Sequence, residues 1–387
     1  MDKKLALTWQ LTELHGWGLV GVHTALHLLD VGNPPLLLEK PAFNTMRPQN
    51  RDRLQRLEEN YKQLAAMSAQ NPGQTLLLKE FDVLHALGNG FVAGPPSARF
   101  RGRRNVGVVA FEDTLLNDEV MARVRSYDRM VVHSSYNRDL LLDRGAADVV
   151  VTLQGVDPSE MGPRPPSGRF KDRFVIFSGG KLEFRKSQDI VLEAFRRFRQ
   201  RHDDAVLATA WHNPWAHLAA GVAESRWTPK APAVDDKGRL KIVEWAVAHG
   251  VPADSFVDLG FMTREQIAPV LADCAAAVFP NRCEGATNLV AMEAMACGVP
   301  VVLSANTGHR DIIRDDACLA LTRQDAVPDA TGARIGWGES SVEELVEHLE
   351  TIYTDREAAG RRSCNAMRFI LGERTWKNFA QSFVAAA

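Results

Sequence analysis

Val278-Phe-Pro-Asn-Arg-Cys-Glu-Gly-Ala-Thr-Asn-Leu-Val-Ala-Met-Glu-Ala-Met-Ala-Cys-Gly-Val-Pro-Val-Val302 reads as strand, polar loop, helix, glycine stop and second strand. Cys274-Ala-Ala-Ala-Val-Phe279 is a short apolar run ended by Pro280, as expected of a buried strand. Thr287 or Asn288 can cap the following helix, because either side chain accepts from an orphan backbone N–H. Leu289, Met292, Met295 and Ala296 recur at helical spacing. Gly298 fits a left-handed helix stop, with Pro300 beyond it. A loop feeding a helix N-terminus at the carboxyl end of a parallel strand is where an open α/β sheet binds an anion. Glu284 lies in that loop and Glu293 lies inside the helix. Two acids there suit a ligand that offers hydroxyls as well as phosphate.

A second stretch has the same design. Phe174-Val-Ile-Phe-Ser-Gly-Gly180 reads as a strand with a glycine end. Lys181-Leu-Glu-Phe-Arg-Lys-Ser187 then brings three bases to the start of a helix. Cations at a helix N-terminus oppose its dipole, which argues for a bound anion between them.

Together these stretches resemble the retaining glycosyltransferases of the GT-B fold, glycosyltransferase family 4 in particular. The Glu-Gly…Glu-Ala-Met-Ala-Cys-Gly-Val-Pro-Val-Val phrase is similar to that family's C-terminal signature. Eight residues separate Glu284 from Glu293, where the usual spacing is seven. Lys181 and Lys186 fall where the family's Gly-Arg-Leu-x-x-x-Lys-Gly segment places its two diphosphate-holding bases, and Ser187 replaces the final Gly. The resemblance implies an α/β protein of two Rossmann-like domains facing across a cleft. Residues 1–162 would form the acceptor-side domain, 163–368 the nucleotide-sugar domain, and 369–387 a helix returning to the first. Asp148-Val-Val-Val-Thr-Leu-Gln-Gly-Val-Asp157 resembles the run that closes the first domain, and the Pro-rich 158–168 segment is the linker. Leu303-Ser-Ala-Asn-Thr-Gly-His-Arg-Asp-Ile-Ile313 resembles a later turn, with Asp311 in the place of an acid.

In the first half, Leu5 to Leu11 reads as a strand and Leu19 to Leu29 as a helix. His15-Gly-Trp-Gly-Leu-Val-Gly21 between them is formally G-x-G-x-x-G, and Glu39 ends the next apolar run. A dinucleotide site is therefore an alternative. Four mixed residues separate the strand from the first glycine, which counts against it. In GT-B enzymes such a loop approaches the donor diphosphate or the acceptor, which makes Gly16 and Gly18 candidate donor contacts. Thr75–Leu78 and Phe81–Leu84 read as strand, with His85 at the carboxyl end. Asn105–Ala110 is a strand leading to Phe111-Glu112-Asp113, where the family often carries Val-His-Asp. His85 and Glu112 become catalytic candidates beside Glu284. Arg282, Gly285, Ala286, Thr287, Asn288 and Glu293 join Lys181 and Lys186 as donor-binding candidates. The 213–234 stretch reads as an insertion.

The chain has 387 residues, enough for two domains, and a net charge of −2. That balance offers no global field for nucleic acid. The run Arg99-Phe-Arg-Gly-Arg-Arg104 reads as a solvated loop, with an acceptor or membrane-surface contact as the alternative. Five widely spaced cysteines suit a reducing, cytoplasmic setting. No stretch has the ~20 apolar residues of a spanning helix, and the N-terminal apolar run is too short for a signal peptide. No metal-ligating cluster and no resident cofactor are expected.

The expected activity is metal-independent, retaining transfer of a sugar from a UDP- or GDP-linked donor to a glycan, lipid-linked or small-molecule acceptor, in glycan biosynthesis. The partners are then the donor and the acceptor, with a peripheral membrane contact left open. A nucleotide-sugar epimerase of the same fold is the main alternative. An NAD-dependent oxidoreductase and a non-catalytic sugar-nucleotide-binding protein are the others.

Overall fold

The computed structural model describes residues 3–213 and 215–387. The chain divides into two units. The first holds residues 1–155, 330–334 and 376–387, and the second holds 156–329 and 335–375.

The first unit is built on six parallel strands: β1 (Lys4–Leu7), β2 (Leu36–Leu37), β3 (Leu76–Ala86), β4 (Phe100–Val109), β5 (Arg129–Val132) and β6 (Val149–Val151). Their spatial order is β2-β1-β3-β4-β5-β6. The order reverses between β1 and β3, which makes their carboxyl ends the crevice of this sheet. The helix Gly16–Asp30 follows β1, and its buried side includes Leu19, Val22, Leu26 and Leu29. Helix Trp376–Ala386 belongs to this unit. Its Trp376 ring stacks on His23 with centroids 4.7 Å apart, and Phe379 and Phe383 close on the His133 ring.

Several details differ from the sequence reading. Gly16, not Leu19, opens the first long helix, because the His15 side chain caps it by accepting from the Gly18 N–H. The two short strands expected at 75–84 are one strand, irregular between Leu78 and Asp82. The basic run is no solvated loop, since most of it forms the first half of β4. Arg99 donates to the carbonyls of Ser68 and Asn71 at the end of the Glu58–Gln70 helix. Arg103 pairs with buried Asp82 and Arg104 donates to the Ala387 carbonyl. These cations cap carbonyls and pair an acid within the unit.

The second unit has six more parallel strands: β7 (Phe174–Gly179), β8 (Ala205–Ala210), β9 (Phe256–Asp258), β10 (Ala276–Phe279), β11 (Val301–Ser304) and β12 (Leu319–Leu321). A two-stranded ribbon, β13 (Gln324–Ala326) with β14 (Gly338–Ser340), lies beyond them. The sheet runs β9-β8-β7-β10-β11-β12, so the order reverses between β7 and β10. That is the Rossmann order, with its crevice at the carboxyl ends of those two strands. Every residue of β7, β10 and β11 is buried, as a sheet covered on both faces requires. Phe174, Ile176, Leu207 and Val278 pack on one face, with Phe195 and Phe198 from the helix Gln188–Arg199. Phe177, Phe279 and Leu303 pack on the other, with Met292 and Met295.

Candidate functional site

The loops that leave β7 and β10 meet at the crevice of the second unit. After β7 the chain turns through Gly180 at φ 117°, a conformation that favours glycine. A short 3-10 turn, Phe184–Lys186, follows. Ser187 then takes φ 59° and starts the helix Gln188–Arg199. The stem of Lys186 lies within 4 Å of the space a Gly180 side chain would occupy.

The loop after β10 is bound to this turn. The N–H groups of Arg282 and Cys283 both donate to the Arg185 carbonyl, at 2.8 and 3.2 Å. The N–H of Arg282 also lies 3.0 Å from Ser187 Oγ. This stitching brings Glu284 onto the bases. One carboxylate oxygen accepts from Lys186 Nζ and from the Asn281 side-chain amide, and the other lies 3.3 Å from the Arg185 guanidinium. Lys186 and Glu284 are both nearly buried. Burial alone would raise the Glu284 carboxyl, but Lys186 and Arg185 outweigh it and hold the group at about 2. Burial pushes the Lys186 amine below the usual lysine range, against the pull of Glu284. Arg185 and Lys181 share a second acid, Glu183, at 2.7 and 3.4 Å. The Lys181 amine also stands 4.9 Å over the Trp215 ring.

Beyond Glu284, Gly285, Ala286 and Thr287 lead to Asn288, which caps the helix Leu289–Ala296 from φ 61°. Its Oδ1 accepts from the Ala291 N–H, and its amide donates to His309 Nε2 at 2.9 Å. Because Nε2 accepts from Asn288, the ring proton lies on Nδ1, which donates to Ser304 Oγ at 2.9 Å. Burial lowers the His309 pKa to about 4, so the ring is neutral at pH 7. The Thr287 hydroxyl is buried and makes no hydrogen bond among the described residues. The helix ends on Gly298 at φ 79°, the left-handed stop expected for it. One turn and more inside, Glu293 is buried and pairs with Arg264 at 2.9 Å. Burial raises its carboxyl, with Arg264 pulling the other way.

Three candidates have other duties than those expected. Arg282 is fully buried, and its five N–H groups are committed to Asp189, Glu339 and the Phe184 carbonyl. It has no donor left for a ligand and acts as a strut between loops. His85 is also fully buried, bonded through Nε2 to Asn105 at 3.0 Å and set against the Tyr127 ring. Burial lowers its pKa to about 4, and the neutral ring is packed on an interior strand of the sheet. Gly18 is needed for packing, since a side chain there would lie 2.1 Å from the Thr12 carbonyl oxygen. Gly16 opens the same helix. Glu112 lies half-exposed just past β4.

Sequence reasoning missed the residues that hold Glu284 from behind. Its N–H donates to Thr307 Oγ1, and its carbonyl accepts from the Gly308 N–H. A side chain on Gly308 would lie 1.8 Å from the Ala286 carbonyl oxygen. The Asn-Thr-Gly-His order was the available signal, a turn sequence after a buried strand.

The model of the family described as glycosyl transferases group 1 matches residues 163–368, more than half of the chain. The chain belongs to that family. A D-inositol 3-phosphate glycosyltransferase of Stackebrandtia nassauensis is 26% identical over 272 residues, covering 68% of this chain and 54% of the relative. A GDP-mannose-dependent alpha-(1-6)-phosphatidylinositol dimannoside mannosyltransferase of Mycobacterium tuberculosis is 24% identical over 242 residues, covering 60% of this chain and 56% of the relative. The chain spans about half the length of these curated relatives. Among solved structures, a glycosyltransferase from Rickettsia africae matches with TM-score 0.67 at 11% identity, over 100% of this chain and 98% of that one. Anabaena Alr3699/HepE in complex with UDP and glucose matches with TM-score 0.65 at 15% identity, over 99% and 98%. These likenesses concern the fold, and the α/β class with two Rossmann-like units expected from the GT-B resemblance is the one observed. No helix among the described residues is long and apolar enough to cross a membrane.

Proposed function

We propose that this group 1 glycosyl transferase moves a hexosyl group from a nucleoside-diphosphate sugar, UDP- or GDP-linked, to an acceptor hydroxyl, with retention and without a metal ion. The observation that carries the reading is the convergence of Lys186, Arg185 and Glu284 in the β7–β10 crevice, beside the N-terminus of the helix Leu289–Ala296. Cations at that point offset the charge that grows on the departing diphosphate. The N–H groups of Gly285 to Asn288 and the unsatisfied Thr287 hydroxyl add donors for phosphate oxygens. Glu293, oriented by Arg264, accepts from ribose hydroxyls.

In the step itself the bond from the anomeric carbon to the diphosphate breaks, and its electron pair leaves with the diphosphate. The acceptor oxygen bonds to that carbon and its proton passes to the leaving group. The relatives' names put inositol-bearing compounds first among acceptors to try.

The test has two arms. A thermal-shift panel of nucleoside diphosphates should single out UDP or GDP, with stabilisation of about 2.7 kcal/mol at a hundredfold excess over Kd. Sugar transfer or donor hydrolysis in the presence of a chelator should persist in the wild type and fall in Lys186→Ala and Glu293→Gln. Wild-type turnover in both variants removes the reading.

A further inference from the structure

The anion site of the second unit is already occupied by charge of its own. Lys186 and Arg185 both spend themselves on Glu284, and Lys181 and Arg185 on Glu183. Three cations face two carboxylates, leaving one net positive charge for a ligand that carries at least two negative ones. Glu284 is also fixed by Asn281, Thr307 and Gly308, so its carboxylate is aimed at the two bases rather than resting there loosely. A buried ammonium left without a partner is strongly disfavoured, which is a reason for an acid to stand beside Lys186 while no ligand is bound.

We infer that Glu284 is the resident counter-ion of this site: it holds the place of a phosphate on Lys186 and Arg185, and binding of a diphosphate is an exchange that releases its carboxylate. The inference rests on the donor reading above and adds a sign to it. Glu284 opposes diphosphate binding while serving the transferred sugar. Once the phosphate oxygens take the two cations, the freed carboxylate becomes an acceptor for the sugar's hydroxyls, so filling the site and arming it are one event. No covalent bond is made or broken in the exchange.

The experiment is calorimetric titration of wild type and Glu284→Gln with inorganic pyrophosphate, UDP and GDP. Glutamine keeps the shape and the Asn281 neighbourhood but gives up the charge. The variant should bind pyrophosphate about tenfold tighter or more, the scale of one charged hydrogen bond no longer displaced. Its sugar transfer should fall at the same time. Glu284→Asp, which retains the charge, should show no such gain. Equal or weaker pyrophosphate binding by Glu284→Gln, with UDP or GDP still bound by the wild type, overturns the exchange and leaves the donor reading intact. A wild type that binds none of the three probes removes the donor reading and the exchange together. If the variant is too unstable to melt cooperatively, pyrophosphate should restore a cooperative transition, and failure to restore it counts against the inference.

Discussion

Arg282 and Asp189, 93 positions apart, form a two-pronged ion pair at 2.8 and 2.6 Å in which neither side chain reaches solvent. Glu339 joins from β14 at 3.0 Å, and the Phe184 ring covers the guanidinium plane at 4.1 Å. The pair ties the loop that carries Glu284 to the helix that follows the bases. Removing one partner leaves the other charge buried and uncompensated, at a cost of about 3–5 kcal/mol. Arg282→Met should lose that much stability in denaturant unfolding. The double variant Arg282→Met, Asp189→Leu should regain part of it. A loss below about 1 kcal/mol in the single variant contradicts the strut assignment.

Gly308 and Gly298 make a paired test. A side chain at Gly308 meets the carbonyl oxygens of Ala286 and Glu284, at 1.8 and 2.8 Å, and neither is free to move alone. Gly308→Ala should cost about 1–3 kcal/mol and displace the Glu284 loop, weakening nucleoside diphosphate binding. Gly298 sits at φ 79° with open space around it. Gly298→Ala should cost about 1–2 kcal/mol from backbone strain and leave nucleotide affinity unchanged. Melting curves with and without nucleotide separate the two.

Acid should weaken the fold in two stages. His85, His133 and His309 are buried neutral rings with pKa values lowered to about 4 from an ordinary 6.5. Their lowered values mean the unfolded chain takes up protons first, so stability is fully present above pH 6.5 and is lost as pH falls towards 4. Each contributes at most on the order of 3 kcal/mol. Glu284, held at about 2 against an ordinary 4.5, adds a second loss below pH 4.5. Unfolding midpoints between pH 7.5 and 4.5 should fall steadily. His133→Gln, which can still donate to the Thr152 carbonyl, should flatten that fall. An unchanged slope counts against the burial account.

Lys186 and Lys181 should differ in weight. Lys186 is nearly buried and meets Glu284, whereas the Lys181 amine is partly exposed over Trp215. Lys186→Ala should reduce nucleoside diphosphate affinity by roughly ten- to hundredfold, the range of a charged hydrogen bond. Lys181→Ala should cost less than about fivefold, as a solvent-screened charge does. Calorimetry on the two variants decides the order.

The strand–glycine–base–helix and strand–acid–helix–glycine patterns were legible because each is written within about 25 neighbouring residues. Asn288, one of the two caps open to that helix, and the Gly298 stop followed from local backbone needs. The helix at Gly16 began earlier than its apolar period suggests, because a histidine cap is a weak sequence signal. The basic run near Arg99 looked solvated because its partners, Ser68, Asn71, Asp82 and Ala387, lie elsewhere in the chain.

Local order of residues thus determined two parallel α/β sheets and the loops that would carry bases and acids. Only the tertiary structure decided what each charged group does. Arg282 and His85 read as site residues until burial and pairing showed a strut and a packing ring. Glu284 meets Lys186 across 98 positions of chain. Side-chain period and turn chemistry act over a few residues, whereas desolvation and ion pairing depend on distances that only the folded sheet sets.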